Sequence, residues 1–272
     1  MRAISLSTKS IFFQDARNYQ ILYLAAFLVF GIFKLHWDLS LIKVSAILFT
    51  TCLTQFAWIK INNGQLSSLK SGLITSLGLC LILNSTSIIT LSLAGMLAIS
   101  AKYIIRYKHK HLFNPANFGI VLSILIFNDA WISPGQWGSD ALFLFVLTVL
   151  GGFILHKIGR LETSLIFLGV LFLLEFTRTV LYQGWEMDVL LHKFSSGTLL
   201  LFSFFMITDP MTIPNSKKAR IIWASILAVA TFILSTWMQL YTAPIWVLFF
   251  MPPLTLFFDK IYPYKKFEWN NN

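Results

Sequence analysis

Ten apolar segments follow one another along this chain, and three of them are too short to cross a bilayer as a simple helix. They run near Tyr19–Phe33, Leu39–Trp58, Ser71–Leu83, Ile88–Ile105, Pro115–Phe127, Ala141–His156, Thr163–Tyr182, Ser196–Ile207, Ile221–Met238 and Ala243–Phe258. Spanning a hydrocarbon core takes roughly 20 residues at about 1.5 Å rise each, and the third, fifth and eighth segments fall well short. Only 12% of the 272 residues are charged while 57% are hydrophobic, about half the charge density of a soluble domain. The mean hydropathy is +0.73. These values describe an all-α integral membrane protein in a single membrane domain, with no stretch left over for a soluble domain of ordinary size. The first eighteen residues include Lys9, Asp15 and Arg17, and no small-residue cleavage site follows the first apolar run, so no removable signal peptide is expected.

Loop charges test the count. Lys9 and Arg17 precede the first segment, Lys60 and Lys70 follow the second, and Lys102, Arg106, Lys108 and Lys110 follow the fourth. Lys157 and Arg160 follow the sixth, Lys217, Lys218 and Arg220 the eighth, and Lys260, Lys265 and Lys266 the tenth. The alternate loops are poor in Lys and Arg, with Lys34, Arg178 and Lys193 as exceptions. This alternation predicts ten crossings of a bacterial inner membrane with both termini cytoplasmic. The net charge of +10 then records orientation and contact with the lipid bilayer, not nucleic-acid binding. Cys52 and Cys80 lie within apolar segments and read as packing residues.

The short segments echo one another. "SGLITSLGLCLILNSTS" from Ser71 and "SGTLLLFSFFMITDPMT" from Ser196 both open on Ser-Gly, run through about a dozen apolar residues and stop at turn formers. Each is third in a set of five, and the charge alternation sends them in opposite directions. This predicts two inverted five-segment repeats, 1–128 and 129–272, with broken half-helices around a central site. Non-helical backbone survives at membrane depth only where it is buried in protein or lines a wet cavity. Pro210 prevents simple continuation of the eighth segment after Asp209. In "HLFNPANFGIV", Asn114 is suited to cap the fifth helix and Pro115 to open it. Ordinary capped helix ends would give the same residues.

These stretches carry a family resemblance. "FNPANFG", "LETS" and "SSGTLLLFSFFMITDPMT" resemble the signature stretches of the RnfD/NqrB family of membrane electron-transport subunits, in the family's order, over roughly Ser71 to Phe258. The chain is also similar to the short RnfD-like proteins associated with enediyne biosynthesis. The resemblance implies a ten-helix, five-plus-five inverted architecture like that of ammonium and urea channels, flavin chemistry, and partner subunits of an electron-transport complex. It marks Asn114, Pro115, Glu162, Thr163, Ser164, Ser196, Gly197, Asp209 and Thr212 as candidates for lining a cofactor pocket. The family's covalent FMN sits on the threonine of an "SGAT"-type motif between "NPA" and "ETS". Here that interval has Thr148 as its only threonine, inside an apolar helix. Covalent FMN is therefore not expected, while a noncovalent flavin or a quinone is compatible with the sequence. A channel or transporter for a small solute on the same fold is the alternative.

Glu175 and Arg178, three apart in "LLEFTRTV", share a helix face and are expected to pair. Charges inside a span are functional candidates by default, and Arg178 can also snorkel to the outer end. His109 and His111 in "YKHKH" are two residues apart and do not share a helix face, so a solvated basic loop on anionic headgroups is expected instead of a metal site. The loop "DAWISPGQWGSD" carries two tryptophans suited to an interfacial belt. No catalytic residue set appears, so an enzymatic role is expected at most as one subunit of a membrane oxidoreductase complex.

Overall fold

The computed structural model describes residues 15–37, 39–108, 110–132 and 141–267, with backbone only for 141–144. Lys9, His109, Trp137 and Asp140 lie outside the described residues. Each of the ten apolar segments carries a helix. The first five are α1 (Ala16–Phe33), α2 (Leu41–Ile61), α3 (Leu69–Ile82), α4 (Ile88–Ile104) and α5 (Pro115–Ile126). The next are α6 (Ala141–Ile158) and α7 (Leu161–Phe176), which widens into a π turn over Thr177–Tyr182. An amphipathic helix α8 (Met187–Phe194) precedes α9 (Gly197–Leu201), itself continued by a π turn over Phe202–Met206. Then come α10 (Lys217–Trp237), α11 (Ala243–Phe250) and α12 (Pro252–Ile261).

Among the described residues, four helices are long and apolar enough to cross a membrane: Ala16–Phe33, Leu41–Ile61, Leu161–Tyr182 and Lys217–Trp237. Two further pairs reach that length only together and are bent, Met187–Phe194 with Gly197–Met206 by 54° and Ala243–Phe250 with Pro252–Ile261 by 50°. The tenth apolar segment, which the sequence did not single out as interrupted, is therefore broken. Pro252 and Pro253 supply no backbone N–H, so the ladder of α11 cannot run on into α12. Helix α8 falls in a stretch expected to be a loop. Met187, Leu190, Leu191 and Phe194 recur at helical spacing and would have revealed it.

Small residues draw the helices of the first half together. A Cβ on Gly119 of α5 would stand 2.7 Å from the Ala94 carbonyl and 2.9 Å from the Ala98 Cβ of α4, so these helices meet nearly backbone to backbone, as lipid-embedded helices do where small residues face one another. The most extensive packing in the first half is α2 on α4, with α4 on α5; in the second half it is α7 on α10, with α10 on α11. The halves meet where α1 packs on α6 and α5 on α11. Leu22, Val29, Phe49, Leu173 and Phe250 point outward and are more than half exposed, as side chains bathed by lipid tails would be. Cys52 and Cys80 are both free thiols.

A two-cavity site divided by helix α9

Two stretches of non-helical chain meet at the end of α9. Asn114 has extended backbone, and its side-chain Oδ1 accepts the Asn117 amide at 3.1 Å, capping α5 with Pro115 in the first turn. The other end of the same side chain, Nδ2, donates to the Met206 carbonyl at 3.3 Å. One buried amide thus satisfies the start of α5 and an orphan carbonyl at the end of the π turn. Beyond it the Thr208 hydroxyl donates back to the Phe204 carbonyl at 2.6 Å, and Asp209 Oδ1 accepts the Met211 amide at 3.0 Å. The Thr212 amide and hydroxyl both donate to the Asp209 carbonyl, at 3.0 and 3.2 Å. Thr-Asp-Pro is therefore a self-bonded turn.

That turn is anchored from outside. Asp259 of α12 accepts Lys110 Nζ at 2.7 Å through Oδ2, and through Oδ1 the Asn215 amide at 2.8 Å and side chain at 3.1 Å. Lys110 also donates to the Ile213 carbonyl.

A cavity of about 450 Å³ opens between these parts. Its walls include Ser71, Thr75 and Gly78 of α3, Leu201 and Phe204–Met206 of the α9 segment, and Asn114, Pro115 and Asp209. Both Ser-Gly segments thus line one space. Its charged lining groups are Arg17, Lys102, Arg106, His111 and Asp209. Arg17 is taken up by Asp15, at 2.9 Å, which also receives Lys70 at 2.8 Å. His111 is not the solvated loop residue expected: it is 7% exposed, with Nε2 3.8 Å from Asp209 Oδ2, an ion-pair distance rather than a hydrogen bond. Burial pushes the His111 imidazole below its ordinary value, offset only in part by Asp209. Burial alone would raise Asp209, but His111 and the Met211 amide hold its carboxyl below the usual carboxylate value. The pair is a neutral imidazole beside a carboxylate.

A second cavity of about 560 Å³ sits at the opposite end of α9. Glu175, Arg178, Lys193, Ser196, Thr198, Phe202 and Thr231 line it. Glu175 does not pair with Arg178. Its Oε1 receives Lys193 of α8, while Arg178 Nη1 reaches Gln183 Oε1 at 3.4 Å. The chain reverses between α7 and α8, and this sets Lys193, not the helical neighbour, over the carboxylate. Glu175 is fully buried, and among the described residues its Oε2 finds no partner, nor do Thr198 Oγ1 and Thr231 Oγ1.

The remaining candidates, apart from Ser196 in the wall of the second cavity, lie outside both cavities. Glu162 at the start of α7 accepts Arg220 Nε of α10 at 2.8 Å and Nη2 as well, clamping the two helices. Thr163 and Ser164 are fully buried in packing. Gly197 and Thr212 are buried beside the α9 segment, and Ser196 caps α9 by accepting the Leu199 amide at 3.5 Å. Sequence reasoning missed Lys102 and His111, which read as loop cations. Their depth depends on how α4 and the hairpin that pairs Arg106–Tyr107 with Lys110–His111 pack, and no local pattern records that.

No curated protein matches the chain. Residues 134–268 match the model of the NQR2, RnfD, RnfE family. The match takes in "LETS" and the "SSGTLLLFSFFMITDPMT" stretch, while "FNPANFG" lies before it. By this match the second half of the chain belongs to the NQR2, RnfD, RnfE family.

Proposed function

We propose that the protein is a multi-pass membrane subunit of an electron-transport complex, and that the cavity between α3 and the α9 segment holds a noncovalent flavin or a quinone. The single observation carrying this reading is the placement of the family-like stretches. "NPA", the Ser-Gly helix of each half and "TDP" converge on one space of about 450 Å³, within the roughly 300–1,000 Å³ of small-molecule sites. The repeated packing of second on fourth and fourth on fifth helices in each half supports two inverted five-helix units, near 1–128 and 129–272. Absence of an "SGAT"-type motif supports a cofactor without a covalent link. The positive loops support a bacterial inner-membrane location with cytoplasmic termini.

The absorption spectrum of protein purified in mild detergent tests this. A flavin band at near-stoichiometric amounts is expected, with no fluorescent band in a denaturing gel. A colourless, folded preparation that also fails to take up quinone would end the redox reading. The second reading, a conduit for a small solute, draws on the two cavities at opposite ends of α9. Leu201 lines one and Phe202 the other, so a solute path would be closed by these two side chains. Under that reading Phe202→Ala raises solute flux into liposomes, and unchanged flux removes it.

A further inference from the structure

A charge imbalance among the described residues sits at the first cavity. Lys102, in the last turn of α4, is 7% exposed, and its ammonium donates to two neutral acceptors, Gln55 Oε1 at 3.1 Å and Ser71 Oγ at 2.9 Å. A lysine has three N–H donors, and no carboxylate lies within ion-pair distance of this one among the described residues. Buried charges are ordinarily paired, because stripping water from an ion without a counter-charge is costly. One turn on, Arg106 is fixed by Nε donating to the Lys102 carbonyl at 2.7 Å and by its guanidinium lying 4.7 Å over the Tyr103 ring. No partner for its terminal nitrogens appears among the described residues. Of the other charges of the cavity, Arg17 is paired with Asp15, and the Asp209 carboxylate is turned to the Met211 amide and His111. Two cations therefore face one space whose single lining carboxylate, Asp209, is not within ion-pair distance of either.

We infer that Lys102 and Arg106 recognise a phosphate monoester on the molecule held in this cavity. The inference rests on reading the cavity as a ligand site and narrows the ligand to a phosphorylated one, such as a flavin mononucleotide held without a covalent bond, in preference to a quinone. A monoester carries roughly −1.5 to −2 charge at neutral pH, which matches two cations, whereas a carboxylate or phosphodiester would leave one unmatched. The division of labour is also apt. Arg106 offers a planar fork at the open side, and Lys102 a point charge at depth. Ser71, the first residue of the Ser-Gly pair, orients the ammonium and is not itself the anion's main contact. The first turn of α5 is already capped by Asn114, so the site does not depend on a helix terminus.

Thermal unfolding of the purified protein in nonionic detergent tests this, with FMN, riboflavin, inorganic phosphate and phosphatidylglycerol added separately. The expected result is stabilisation by FMN at concentrations at least tenfold lower than riboflavin requires, and a smaller stabilisation by phosphate. Both effects should be lost in Lys102→Gln and in Arg106→Gln, the latter an exposed position where folding is little disturbed. Riboflavin acting as well as FMN, with phosphate silent, overturns the inference while leaving a flavin site. Phosphate stabilisation without any flavin effect keeps the inference and removes the flavin reading. A response to phosphatidylglycerol alone assigns the cations to a lipid headgroup and overturns the monoester.

Discussion

Asn114 serves two helix ends with one side chain, and its removal should cost accordingly. Losing an N-cap costs about 1 kcal/mol, and stranding the buried Met206 carbonyl about 1–3 kcal/mol more. Asn114→Ala should therefore lower the unfolding midpoint in detergent clearly, whereas Asn114→Asp, which keeps the cap but cannot donate to Met206, should recover part of the loss. An Asn114→Asp variant as stable as the parent would show that the Met206 contact contributes nothing, and equal losses in the two variants would show the same of the cap. His111 gives a pH signature. Its folded pKa lies below the ordinary value near 6.5, so the unfolded chain binds more protons as pH falls through that region, and stability should decline on acidification from 7. Asp209, held below its ordinary value, adds a further loss only at lower pH. His111→Gln should flatten the midpoint-versus-pH curve near 6.5, and an unchanged curve would place the titration elsewhere. Asn114 and Pro115 were legible in the sequence because capping is local chemistry. His111 and Lys102 were not, because their burial comes from contacts with residues far along the chain, such as Asp209 and Gln55.

Elements were easier to read than their breaks. An apolar run names a helix in lipid, so all ten segments were visible; the Pro252–Pro253 interruption was passed over because its flanks are apolar on both sides. Packing between elements was invisible in periodicity, yet it sets the tolerance of the fold. Gly119→Ala places a methyl group against the Ala94 backbone and should destabilise by about 1–3 kcal/mol, the range for overpacking, while the same change at Gly169, where a Cβ meets nothing within 4 Å, should be tolerated. Parallel unfolding midpoints of the two variants check this. Between α7 and α8 the Glu175–Lys193 pair makes a sharper contrast. Lys193→Ala removes the half-exposed partner of a buried acceptor and should cost about 1–3 kcal/mol. Adding Glu175→Gln to it should restore much of the loss. If the double variant is no more stable than Lys193→Ala, the pair is not coupled as drawn.

At the scale of the molecule, the loop charges and the convergence of the short helices imply that residues on the basic side share one compartment. Single cysteines at Lys108 and Lys217 should be modified by an impermeant maleimide from the same face of the membrane, and a cysteine at Tyr241 from the other. Labelling of the first two from opposite faces would dismantle the topology and the inverted arrangement with it. One further consequence lies in the α9 segment, where consecutive side chains face separate chambers. Leu201 lines one chamber and Phe202 the other, oily side chains that stop a hydrated ion, whereas an electron can tunnel through a short apolar stretch without anything moving. A protein that must pass reducing equivalents across an insulating layer while holding cations back would be served by such a septum as it stands.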